Sequence, residues 1–360
     1  MMMKLVFREQ VNGSEQLEYN NFVLSSPYGS IYQSTHWINI HNDSFSKKVF
    51  FWDGEVPDIA AGVFLVHQNP LATFAEIQFG PVVKDPNRLI EVFEQLISYG
   101  AKHFQWLRIA LPCPISNETE RLERIAIKKW VMKFDFDRSN WATLIIDLNE
   151  TKENIFKSFR KGHKAAIRKA QRLLVLKEPD NMAEVEGFVT VFLRMRRRRG
   201  LPVNEKRGKE YFSRLWTVLS EYDLGRFYLV HYENNIIGGE IFLCSGNRYI
   251  YYKGAADPEY RKLPITHMAI WQGVKDAHEL DGVSIFDLGG YNIFADETDQ
   301  IYFINRFKEG FTKEIEFFPK TQYYIFNPLR YQLYKKSRAA RDRVMHLYRN
   351  FRVRDREPVK

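Results

Sequence analysis

Cysteine is nearly absent: Cys113 and Cys244 are the only two in 360 residues. That excludes a disulfide-stapled scaffold, and no Cys/His cluster has zinc-site spacing. The nine histidines show no metal-ligand spacing either. No run of 18 apolar residues occurs, and the opening MMMKLVFREQVNGSEQ lacks an apolar stretch followed by a small-residue cleavage site. The reading is a chain without a membrane span or standard secretion signal, expected in the cytoplasm. Gly-x-Ser-x-Gly, Walker A and His-Glu-x-x-His are all missing, which removes elbow hydrolases, P-loop enzymes and zincins. There is also no glycine-rich pyrophosphate loop of the Arg/Gln-x-x-Gly-x-Gly/Ala type.

What is present is globular: 45% hydrophobic and 27% charged residues, in a length that suggests two domains. Aromatics are plentiful, with 28 Phe and 19 Tyr, enough to line concave surfaces as well as cores. The net charge of +9 is local. Residues 157–172 hold seven Lys/Arg and no acid, and residues 335–360 hold ten Lys/Arg against three acids. Such segregation points to anionic partners.

An order of elements occurs twice. KKVFFWDGEVPDIAAGVFLV (47–66) reads as a hairpin, followed by a strand in FAEIQFGPVV, an amphipathic helix in NRLIEVFEQLISYGA and a buried strand in FQWLRIALP. GRFYLVHYENNIIGGEIFLC (225–244), NRYIYYKGAAD, PITHMAIWQGVKDAHEL and VSIFDLGG repeat it, with Gly62 and Gly239 at comparable hairpin positions. The expectation is an α/β protein of two tandem N-acetyltransferase-like domains with mixed sheets flanked by helices. Its boundaries are 1–145, with 320–360 packing back on it, and 146–319. Between the copies, one helix is expected over LNETKENIFKSFRKGHKAAIRKAQRL, with Lys157, Lys161, Lys164, Arg168 and Arg172 as a single stripe. Two more are expected at 181–199 and 207–221, and a basic helix near 327–351. His163 and His267 fall within predicted helices and read as structural.

The segments IYQSTHWINI, SFRKGHKAAIRKA, YIYYKGAADPEYRKLPITHMAIWQGVKDA, FDLGGY and INRFKEGFTKEIEFFP resemble the FemAB family, the peptidoglycan-bridge aminoacyltransferases, in its short, armless type. The resemblance runs from about residue 20 to 335. It implies two fused N-acetyltransferase-like (GNAT) domains and transfer of an amino acid from aminoacyl-tRNA to an amine of a muropeptide or lipid-linked cell-wall precursor, with no tightly bound cofactor. In Arg306-Phe307-Lys308 it assigns the oxyanion-stabilising role to Lys308, the alternative being a surface lysine in a charge-rich strand. It assigns acceptor contacts to Arg207 and Tyr211, which share a helix face, to Tyr251 facing the substrate groove, and to Trp37. Where the family's motif has a phosphate-binding lysine, this chain has His41, mostly neutral at pH 7. The stripe residues Lys161, Lys164 and Arg168 are candidates for tRNA phosphates. The C-terminal helix is a candidate for peripheral contact with an anionic membrane. Two alternatives stay open: an acyl-CoA-dependent N-acyltransferase acting on a sugar or polysaccharide precursor, and a non-catalytic RNA-binding or membrane-associated module.

Overall fold

The structure, a computed structural model, describes residues 3–129, 132–135 and 142–354. The first hairpin pairs Lys47–Asp53 with Ala60–Asn69. Its turn is tied by the Asp53 carboxylate, which accepts from the backbone N–H groups of Ile59 (2.9 Å) and Ala60 (2.8 Å). Ala72–Ile77 adds antiparallel to the hairpin, and the helix Leu89–His103 crosses over. Trp106–Ile109 then returns parallel to Ala72–Ile77, as such a crossover requires. In the second half, Gly225–Tyr232 turns into Asn235–Ser245 through Glu233 and Asn234, both at positive φ, the geometry of a tight hairpin turn. Arg248–Ala256 follows antiparallel, the helix Ile265–His278 crosses over, and Ile285–Gly290 lies parallel to Arg248–Ala256. The duplicated α/β pattern read from the sequence is therefore the pattern of the fold. A Cβ at Gly62 would fall 2.6 Å from the Phe51 ring and one at Gly239 2.7 Å from the Phe188 ring. In both copies the glycine admits an aromatic side chain to the core.

The chain ends cross-link the halves. Thr321–Ile325 inserts between Trp106–Ile109 and Met132–Asp135 in the first sheet. The helix Pro328–Arg354 then lays Tyr331 and Tyr334 against Trp106 and Phe74. The short helix Thr35–Ile40 contributes Trp37 and Ile40 to a cluster otherwise built from the helices Met182–Arg198 and Glu205–Tyr222 and from the second sheet. Burying Ile31, Trp37 and Ile40 there stabilises the mutual packing of the halves, at about 1.5–3 kcal/mol for each fully buried large side chain.

One element differs from expectation. The single helix read across 148–173 is two, Lys152–Ser158 and Lys161–Leu173. Phe159 and Arg160 between them adopt extended ψ values of 145° and 140°. The break buries Phe159 edge-on against Trp271 and Phe311 and lets the Arg160 N–H donate to the Gly310 carbonyl at 2.8 Å. Local propensity favoured continuity, and tertiary burial of one ring overrode it.

Candidate active site

Asp299 caps the helix Gln300–Lys308, so Lys308 is the last residue of a helix and not part of a charged surface strand. Its side chain is buried. The Nζ donates to the carbonyls of Gly290 (2.8 Å) and Gly289 (3.1 Å). An ammonium has three donors, and among the described residues nothing accepts the third. Burial lowers its pKa to about 8, opposed by the Asp287 carboxylate, so the group remains a cation at neutral pH.

The glycines it holds lie where the second sheet opens. Arg248–Ala256 and Ile285–Gly290 pair only at 248–250 with 285–287; beyond that Gly290 pairs with Thr143 on the other side. Gly289 makes the divergence possible with φ +73°, and a Cβ there would lie 2.8 Å from the Tyr251 carbonyl oxygen and 3.8 Å from Lys308 Nζ. Gly289 and Gly290 form part of the wall of a cavity of about 110 Å³ between the two halves, together with Gly29, Tyr32, Phe79 and Ile250. Beneath this wall Asp287 is held by the Gly289 N–H (2.7 Å), the Thr143 hydroxyl and Arg248 (3.3 Å), and Arg248 also binds Glu316.

Tyr251 adjoins Lys308 through Gly289, but its hydroxyl donates to the Glu240 carboxylate at 2.8 Å. Burial pushes Glu240 up to about 8, against hydrogen bonding from Thr266 and Tyr251, and its Oε1 has no well-formed hydrogen bond. Glu240 fits because residue 254 is glycine: a Cβ there would overlap its Oε2. The groove tyrosine implied at 251 is thus buried toward Glu240. Ordinary strand alternation puts Tyr252 on the other side, and the irregularity opposite Ile241/Phe242 leaves Lys253 on that same side.

That other side gathers the remaining acceptor candidates. The Tyr252 and Tyr211 hydroxyls share a hydrogen bond of 2.7 Å. Trp37 packs edge-on against Tyr252 and beside His41, and His41 faces Tyr211. Asn204 caps the helix Glu205–Tyr222 by accepting from the Arg207 N–H at 2.9 Å, which places exposed Arg207 in its first turn. Lys253, which the sequence reading passed over, lies between the rings, 4.5 Å from Tyr211 and 4.8 Å from Tyr252. Its Nζ reaches the Tyr211 hydroxyl at 3.3 Å. Burial and the charge of Arg196 lower it to about 8. Burial, Lys253 and Arg207 together hold His41 below its usual range. The available signal was a lysine inside YYKGA, flanked by rings and glycine in a strand that must be half-buried. This cluster reaches the interdomain cavity through Tyr32, which packs on both Trp37 (5.0 Å) and Phe79 (4.7 Å).

The basic helix stands apart. Lys161 and Arg168 are exposed, while the Lys164 Nζ closes back on the Lys157 carbonyl at 2.7 Å and Arg168 lies over the Phe156 ring. Buried His163 bonds the Phe307 carbonyl at 2.9 Å and packs against His267, which burial lowers to about 4. The pair braces the helix that ends in Lys308. Among the described residues no group of His, Cys, Asp or Glu is placed to hold a metal ion, and no helix is long and apolar enough to cross a membrane.

Residues 157–308 match the family described as an acetyltransferase (GNAT) domain. The whole chain is similar to the crystal structure of FemX: 16% identity over 92% of this chain and 99% of that one, TM-score 0.77. It is also similar to L-PGS from Bacillus licheniformis (12% identity, 87% and 91% covered, TM-score 0.52) and to a tandem GNAT protein from the clavulanic acid biosynthesis pathway (12%, 90% and 99%, TM-score 0.50). No protein of curated function matches the sequence. The chain has the fold seen in FemX, two tandem GNAT-type domains.

Proposed function

We propose that the chain transfers an aminoacyl group from aminoacyl-tRNA to an amine of a peptidoglycan precursor peptide. One observation carries the reading: a buried ammonium, Lys308, held by two glycine carbonyls at the wall of an interdomain cavity with its third donor uncommitted. An ester on a tRNA ribose is already activated, so aminolysis needs alignment and oxyanion stabilisation more than a strong nucleophile. Lys308 supplies the stabilising charge, fixed before the reaction by Gly289 and Gly290. Arg207 and Lys253 hold the acceptor's phosphates; Lys253 brings from the second sheet the cation that His41 does not supply. The test is a transfer assay offering charged tRNA and acyl-CoA as donors with a panel of muropeptide amines. Exclusive use of acyl-CoA would sink the reading.

An acyl-CoA donor is the second reading, favoured by the match to the acetyltransferase domain. Helix N-termini bind pyrophosphate through free N–H groups and a positive dipole end. At the start of Ile265–His278 the Glu240 carboxyl lies beside Thr266, and Asp257 in the preceding loop is engaged with Arg194 and the Glu259 N–H. Asp257 is the carboxylate a pyrophosphate would meet there, since burial keeps Glu240 largely protonated at neutral pH.

Phosphate contacts form in ground and transition states alike. Arg207→Ala and Lys253→Met are therefore each expected to raise the acceptor KM about 10- to 100-fold, the equivalent of a charged hydrogen bond of about 1.5–3 kcal/mol, with smaller losses in kcat. Steady-state kinetics at varied acceptor checks this, and a pure kcat effect contradicts the role. For the basic helix, charge reversal at Lys161, Lys164 and Arg168 is expected to weaken tRNA binding. It also reduces the slope of log K against log salt by about 0.7–0.9 per lost phosphate contact. Filter binding across a salt series reads it, and an unchanged slope assigns the stripe to a solvated helix face.

A further inference from the structure

The face of the first sheet turned away from its main core carries two rows of side chains that the transfer reaction does not use. Strand register places His67, Phe74 and Trp106 side by side on three neighbouring strands. Their rings lie nearly parallel, His67 to Phe74 at 4.9 Å and 18°, Phe74 to Trp106 at 4.5 Å and 14°. Two residues along, Glu76, Arg108 and Tyr323 form a polar row in the same register. Glu76 accepts from Arg108 (3.1 Å) and from Gln78 (2.8 Å) and meets His67 Nε2 at 2.9 Å. Burial alone would push its carboxyl up, but these partners hold it below its usual value. The C-terminal helix walls this face with Tyr331 and Tyr334 and sets Lys335 and Arg338 at the rim. The enclosed groove measures about 670 Å³, within the roughly 300–1,000 Å³ typical of small-ligand sites.

We propose that this groove binds a saccharide bearing a negative charge, a phosphate or a carboxylate. The ring faces are taken up by one another and Trp106 is buried, so the groove offers a ligand the half-exposed edges of His67 and Phe74 and the side of Tyr334 as its apolar surface. The fixed carboxylate–guanidinium row accepts from and donates to the saccharide's hydroxyls, and the two rim cations meet the anionic group. A nucleic-acid strand fits less well, because its phosphates would run past the Glu76 carboxylate in the floor. A flat membrane surface does not enter a concave groove. Arg108 also lines a smaller recess of about 210 Å³ with Phe79 and Phe318, and those two rings line the interdomain cavity beside Gly289. The groove therefore adjoins the candidate active site. The proposal goes beyond the transfer reaction and is tested without it.

The experiment titrates the intact chain calorimetrically with glucose 1-phosphate, tetragalacturonate and neutral maltotetraose, and in parallel with oligouridylate and phosphatidylglycerol vesicles. At least one anionic saccharide is expected to bind at least tenfold tighter than maltotetraose, and which one identifies the anionic group. The affinity is expected to fall at least tenfold in Lys335→Glu and in the double variant Lys335→Glu/Arg338→Glu, with melting temperatures unchanged. Equal affinity for neutral and anionic saccharides, or no saccharide binding, overturns the proposal. So does tighter binding of oligouridylate or vesicles that the same variants abolish, which would reassign the groove to nucleic acid or to lipid.

Discussion

Lys308→Met is expected to lower turnover by about 10²–10³ while leaving the fold intact, the loss typical of one oxyanion partner. Methionine keeps the length of the side chain and removes the charge, so melting temperature and kinetics separate chemistry from folding. Unchanged turnover in a folded variant rejects the assignment. The pH dependence gives an independent check. Burial sets Lys308 near 8, so the wild-type rate is expected to fall as pH rises through about 8 and the ammonium is lost, a limb that the variant lacks. The sign for stability is opposite. Between about 8 and the ordinary lysine range the unfolded chain holds a proton that the folded one has released, so Lys308's contribution to stability rises with pH across that window.

Arg248→Met is expected to destabilise the protein by about 3–5 kcal/mol, because it leaves buried Asp287 and half-buried Glu316 without their cation. Urea denaturation measures this, and a loss below about 1 kcal/mol would show the pair to be dispensable. The consequence reaches the active site. Asp287 holds the N–H of Gly289, and Gly289 supplies a carbonyl to Lys308. A folded fraction of the variant should therefore also lose turnover, with little change in KM.

The repeated hairpin, strand, helix and strand were legible because each rests on local signals. Short apolar, ring-rich runs mark Lys47–Asp53 and Gly225–Tyr232, and polar Asn234-Asn235 marks the hairpin turn, whose positive-φ residues are Glu233 and Asn234. The Asn181 and Asn204 caps start their helices where polar residues precede amphipathic runs. The motif singled out Lys308 as a candidate, yet its helical setting and burial were not legible, since charge-rich RFKEGF reads locally as surface. Tyr251 and Tyr252 could not be told apart in sequence. They face opposite sides by strand alternation, but that Lys253 joins Tyr252 on one side depends on the register shift opposite Ile241/Phe242, a property of the strand pair.

The sequence by itself determined the two-domain α/β pattern, the segregation of positive charge and the identity of the lysine that closes the RFK motif. These follow from residue type and spacing, which act over a few residues. Only the tertiary structure decided that the helix expected across 148–173 breaks at Phe159, that Lys253 joins Tyr211 and His41, and that Asp287 supports Gly289. Each of these joins segments far apart in the chain. The free energy gained by burying a ring or pairing a charge there exceeds the local preference it overrides.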